Sequence, residues 1–126
     1  MADAGLPEAV RELVRRDLAS MTHLDVLLLL YRSPDREWTP ADAAGQLQGT
    51  VETVGHALRD LDRSGLTVRG PGGGHRYAPE RPEARATVEM LADTYNRFPV
   101  QLIRAIYERP ADPVQSVADA FRLKGS

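Results

Sequence analysis

The sequence predicts a mainly α fold with a small β-hairpin. Three observations carry this. Apolar residues recur at steps of three and four through most of the 126 residues. Two short runs, "LTVR" (66–69) and "HRYA" (75–78), read as strands on either side of "GPGGG". Proline-bearing breaks at 33–37 and 108–113 cut the helical pattern into pieces.

Leu6, Val10, Leu13, Val14, Leu18 and Met21 define a first helix, and Pro7 suits its first turn. Thr22 with Asp25 resembles a capping box and predicts the start of a second helix. This helix holds Leu24 and the apolar run 26–31, so it should be buried on all sides. Pro34 stops it, because the residue before a proline avoids the helical region. Thr39 as N-cap, Pro40 as first residue and Asp42 behind them predict a third helix, with Ala43, Ala44 and Leu47 facing inward. "QGT" (48–50) is a tight turn. A fourth helix then buries the stripe Val51, Val54, Leu58 and Leu61, and Gly65 ends it in a left-handed cap. After the hairpin, Val88, Leu91, Tyr95, Phe98, Leu102 and Ala105 form a coiled-coil-like seam. Pro99 falls inside the seam, where its ring would meet the Tyr95 carbonyl, so the helix should kink or break there. Asp112 and Pro113 open a last amphipathic helix with Val114, Val117 and Phe121 apolar, and with Ala118 and Leu123 as further candidates.

The length fits one domain over 1–126, with helices at about 39–65, a hairpin at about 66–79 and C-terminal helices at about 82–124. Without cysteine there is no disulfide and no thiolate metal site. The first ten residues lack a signal-peptide pattern. The longest apolar run, 26–31, is far short of the roughly 20 residues of a membrane span. A cytoplasmic protein is the expectation. Fifteen of the 16 basic residues are arginine, Lys124 being the exception, which fits the coding bias of a GC-rich bacterial genome.

Net charge is −2, but its distribution is uneven. Residues 21–62 hold three bases and seven acids, whereas residues 63–81 hold Arg63, Arg69, Arg76 and Arg81 against Glu80 alone. Positive charge therefore gathers around the hairpin.

Residues 39–77 run helix, tight turn, helix, strand, glycine-rich tip, strand. Two short helices joined by a tight turn make a helix-turn-helix, and a hairpin directly behind them makes it winged. "WTPADAAGQLQGTVETVGHALRDLDRSGLTVR" resembles the winged helix-turn-helix core of bacterial transcription regulators such as the MarR and ArsR families. Ala43-Ala44 matches the Leu-Ala pair of their first helix, "TVETV" the start of their recognition helix, and "LRDLDRSGLTVR" its ending. The acidic-and-arginine wing signature of MarR proteins is absent, as is an ArsR-type cysteine–histidine metal set. The resemblance implies regulation of transcription by binding duplex DNA.

At about 100° per residue, the polar face of the fourth helix carries Glu52, Thr53, His56, Arg59, Asp60 and Arg63. A recognition helix reads bases with its N-terminal part, so Gln48, Thr50, Thr53 and His56 are candidate readers, with Glu52 beside them. Arg59 and Arg63, with Arg69, His75 and Arg76 of the hairpin, are candidate phosphate contacts. One feature opposes this: over residues 50–65 two arginines face three acids, Glu52, Asp60 and Asp62. Phosphate neutralisation supplies much of DNA affinity. A winged-helix module that binds a protein partner is therefore the alternative. The seam residues Val88, Leu91, Tyr95, Phe98 and Leu102, with Phe121, are candidates for a homodimer interface.

Catalysis finds no support. There is no Gly-x-Ser-x-Gly elbow and no cysteine nucleophile. "GPGGGHRY" lacks the lysine of a phosphate loop and runs into a strand, so its glycines serve to turn a hairpin. His23, His56 and His75 are far apart in sequence and imply no metal. No cofactor is expected, and His23 is read as structural or solvent-facing.

Overall fold

A computed structural model of the chain describes residues 6–108. The last predicted helix, with Val114, Val117, Ala118, Phe121 and Leu123, lies outside them, as does most of the 108–113 turn. The elements are α1 (Glu8–Asp17), α2 (Met21–Arg32), α3 (Pro40–Leu47), α4 (Val51–Arg63), β1 (Thr67–Arg69), β2 (His75–Tyr77), α5 (Pro82–Arg97) and α6 (Pro99–Tyr107). β1 and β2 pair antiparallel, Val68 opposite Arg76. The architecture is a winged helix-turn-helix with additional helices before and after it.

α2 is the centre. Leu24, Val26, Leu27, Leu28 and Leu30 are all buried, as its all-round apolar sequence requires. Each such side chain contributes roughly 1.5–3 kcal/mol by leaving water. α4 packs on α2, α3 and β1, whereas α1 packs on α5 and α6. The start of α2 differs from the sequence expectation. Ser20, not Thr22, is the N-cap, and its hydroxyl accepts the His23 N–H at 3.4 Å. The same hydroxyl lies 2.8 Å from His23 Nδ1, and this second contact favours Ser20 over Thr22.

Local signals fix the helix-turn-helix. The Thr39 hydroxyl accepts the Asp42 N–H at 3.1 Å, with Pro40 at the first position of α3. Gln48 ends α3 in the left-handed region, φ 56°. Thr50 caps α4 by accepting the Thr53 N–H at 3.1 Å. At the far end, Gly65 (φ 79°) donates to the Asp62 carbonyl and Leu66 donates to that of Leu61. This pair of bonds is the Schellman motif, and the left-handed residue it needs is glycine here. The buried stripe of α4 is Val54, Ala57, Leu58 and Leu61, whereas Val51, expected inside, is 54% exposed. As the first helical residue it extends past the neighbours that cover the later turns.

The wing has a third edge. Trp38 and His75 exchange backbone hydrogen bonds, both 2.7 Å, so the segment leading into α3 pairs with β2 on the side away from β1. Tyr77 packs edge-on against Tyr31 of α2, ring centroids 5.4 Å apart, and ties β2 to the core. The predicted seam is divided. Phe98 interrupts the helix at φ −135°, ψ 58°, and Pro99 starts α6, as the proline requires. Val88, Leu91 and Leu102 are fully buried in the chain's own core, Tyr95 and Ala105 are half-buried, and Phe98 is exposed.

Gly74 shows how tightly the third edge is fitted. A Cβ there would stand 2.9 Å from the backbone carbon and oxygen of Trp38. We expect Gly74→Ala to push Trp38 off β2 and to cost about 1–3 kcal/mol in urea unfolding. Gly45→Ala, with open space around the added methyl in α3, should be neutral or stabilising in the same assay.

Candidate nucleic-acid interface

The tight turn and the first half of α4 present one exposed polar surface. Gln48, Thr50, Glu52, Thr53, His56, Arg59 and Arg63 are all exposed, as expected from the helical period. The Thr50 hydroxyl donates to the Thr53 hydroxyl at 2.8 Å, so these two candidate readers form a pair held at the helix start. Glu52 lies in the first turn, where the helix dipole favours a carboxylate, which gives it a structural reason to be there.

The other two acids of α4 are engaged internally. Asp60 accepts from three groups. His23 Nε2 of α2 is 2.8 Å from Asp60 Oδ2, His56 Nε2 is 3.3 Å from the same oxygen, and Arg63 pairs with Oδ1. Burial works against the charge on Asp60, but the hydrogen bonds from His23 and Arg63 and the charge of His56 outweigh it. The carboxyl is held below its ordinary value of 3.8. Asp62 reaches the wing. It accepts the Thr67 hydroxyl at 2.5 Å on Oδ1, and its Oδ2 is 2.8 Å from His75 Nδ1. Asp60 thus binds α4 to α2, and Asp62 binds α4 to both strands of the hairpin.

These contacts correct three sequence expectations. His75 was placed among the groups the hairpin presents, but it is 4% exposed and bonded to Asp62. His75 and Arg76 are neighbours on one strand, so they face opposite sides, and it is Arg76 that points to solvent. The histidines are not independent either, because His23 and His56 meet on Asp60 with ring centroids 6.4 Å apart. His23 is buried and structural. Both rings address one carboxylate oxygen, and no metal-ligand cluster occurs among the described residues. Finally, Asp60 is half-buried and turned toward His23 of α2 rather than simply presented.

What remains outside, beside the carboxylate of Glu52, is cationic. Arg59, Arg69 and Arg76 are exposed and make no ion pair with the described residues. Arg76 shares a hairpin face with Val68, whereas Arg69 lies opposite His75 at the tip. Sequence reasoning missed Glu37, whose carboxylate accepts the Gly74 N–H at 2.9 Å and braces the loop between the strands. It also missed that Arg16 of α1 and Arg81, just before α5, line one cleft with Arg63. Their positions in the sequence carry no signal of that meeting.

Over 85 residues the chain is 33% identical to the HTH-type transcriptional regulator BadM of Rhodopseudomonas palustris, an alignment that takes in 64% of this chain and 54% of that protein. The chain therefore spans about half the length of this curated relative. No protein-family model matches the chain, and no solved structure matches it. No helix among the described residues is long and apolar enough to cross a membrane.

Two measurements check the roles of the acids. Asp62→Ala leaves Thr67 and the buried His75 without their acceptor, so we expect a loss of about 1–3 kcal/mol in urea unfolding. The lowered pKa of Asp60 means that it stabilises the fold above its ordinary value, and that this contribution disappears as pH falls through the lowered one. Asp60→Asn should therefore unfold at lower urea than the wild type at neutral pH. The difference between the two midpoints should close as pH falls below 3.8.

Proposed function

We propose that the chain, taken over 1–126 as one winged-helix domain, is a transcriptional regulator that binds duplex DNA. The N-terminal half of α4 enters the major groove, where Gln48, Thr50, Thr53 and His56 meet base edges. Arg59 and the wing residue Arg76 meet phosphates on either side, with Arg69 reaching from the tip.

The observation that carries this reading is the fate of the acids of α4. Asp60 and Asp62 are bonded to His23, His56, Arg63, Thr67 and His75, while Arg59 and Arg76 stand exposed. The net charge of the helix in sequence therefore understates the positive character of its outer face. The likeness to a protein described as an HTH-type transcriptional regulator supports the same reading, and so does the resemblance of residues 38–69 to MarR and ArsR cores.

A homodimer belongs to the proposal, because it doubles a modest set of cations and places two recognition helices on successive half-sites. Of the seam residues, Val88, Leu91 and Leu102 are in the core and serve the fold. Phe98 is exposed (38%), as are Val100 (63%) and Tyr107 (75%) around α6 and Met90 (39%) on α5, and these are apolar groups that a second copy would cover.

Fluorescence anisotropy with a labelled duplex tests the reading. Arg59→Ala and Arg76→Ala should each weaken binding and reduce the slope of log K against log salt by about 1. Unchanged affinity and slope in both variants would transfer the surface to a protein partner.

A further inference from the structure

α4 has a second polar end, away from its reading residues. There, α1, α2, α4 and the start of α5 enclose an open cleft of about 570 Å³. Its charged and titratable lining is Arg16, Asp17, His23, Asp60, Arg63 and Arg81. Three guanidinium groups face two carboxylates. Arg16 is paired with Asp17 (3.1 Å) and Arg63 with Asp60. Asp60 is shared further with His23 and His56, so it cannot fully satisfy Arg63. Arg81, the residue before α5, is exposed and has no acidic partner among the described residues. The cleft therefore holds a surplus of planar, bidentate donors around a space large enough for a small organic molecule.

We infer that this cleft is a binding site for a small oxyanion, a carboxylate or phosphate group held by Arg81, Arg16 and Arg63. An anion seated there competes with Asp60 for the Arg63 guanidinium. Asp60 then loses one of its three partners and redistributes toward His23 and His56. His56 is on the exposed reading face of α4, so occupancy of the cleft reaches that face through one carboxylate. Its regulatory meaning rests on the DNA-binding reading above, whereas the anion site itself does not.

The test uses the full chain without DNA. Amide and imidazole NMR signals are followed while sodium phosphate, and separately sodium citrate, is added at ionic strength matched with sodium chloride. Saturable shifts at Asp60, Arg63, Arg81 and His56 are expected. Binding should be about tenfold weaker in Arg81→Ala and in Arg16→Gln, each having lost one charged bidentate contact. Arg32→Ala, at the far end of α2, should bind as the wild type does. Saturation by phosphate alone, citrate alone or both identifies which anion class the site takes, and each supports it. Non-saturating shifts shared by Arg81→Ala overturn the proposal, and so do saturable shifts that leave His56 unmoved. Because no DNA is present, a negative result leaves the DNA reading standing. A chain that fails to bind DNA can still pass this test.

Discussion

Two carboxylates on one turn of α4 hold the arrangement together. Asp60 faces α2 and Asp62 faces the wing, and each meets a buried histidine at 2.8 Å. Hydrophobic packing positions α4 against α2 and α3 but leaves it free to slide or roll by small amounts, because that packing is non-directional. Charged hydrogen bonds at both sides of the helix are directional. They fix the rotation of α4 about its axis, and with it which residues face outward. They also fix the angle between helix and hairpin, since Asp62 holds Thr67 on β1 and His75 on β2 at once. His75 is held from the other side as well, by the backbone exchange with Trp38. The strand that presents Arg76 is thereby clamped between Trp38 and the last turn of α4.

The same pair explains why simple charge counting misjudges this helix. A count over 50–65 treats every carboxylate as a surface charge. Two of the three are committed to hydrogen-bond donors, one of them the charged Arg63. Asp60 contributes little repulsion toward a phosphate at a distance because the Arg63 guanidinium offsets it, and Asp62 is turned toward Thr67 and His75 of the hairpin. Exposed Arg59 and Arg76 have no such offset. The sign of a surface is set by which charges are unpaired.

Much of the fold was legible from local chemistry. Thr39-Pro40, Gly65 and Pro99 all act within a few residues of themselves, and each marks the boundary it was expected to mark, while the turn 48–50 falls where expected. The buried run of α2 is equally plain, since no amphipathic surface helix carries leucine on every side. Errors arose where two local readings competed. Ser20 and Thr22 are both acceptable caps, and only the position of the His23 ring distinguishes them. Val51 continues the apolar period of α4, but period says nothing about where the partner surface ends. The site was less legible because its organising bonds join residues far apart in sequence. His23 and Asp60 are separated by 37 positions, and His75 and Asp62 by 13 across a glycine loop. The one error that sequence could have prevented concerns His75 and Arg76. Strand alternation forbids both from facing the same side.

An α4 held in this way has a consequence for how it can respond to anything. A helix that is at once the partner of the core and the presented surface cannot be displaced without opening the core, since Leu58 and Leu61 are fully buried beneath it. Changes at the surface must therefore come from side chains that exchange partners over a stationary backbone. Asp60 is built for such an exchange. It has two oxygens and three donors, one from the buried α2 and two from exposed positions of α4. His23 is fixed by Ser20 on its other nitrogen, so the exposed donors are the ones free to shift. Any ligand that alters Arg63 or His56 must be felt by the other through the shared carboxylate, and thermodynamic linkage makes the effect reciprocal. The exposed His56 and the Arg63 end of α4 are thus joined through a single aspartate, the same one that ties the helix to α2.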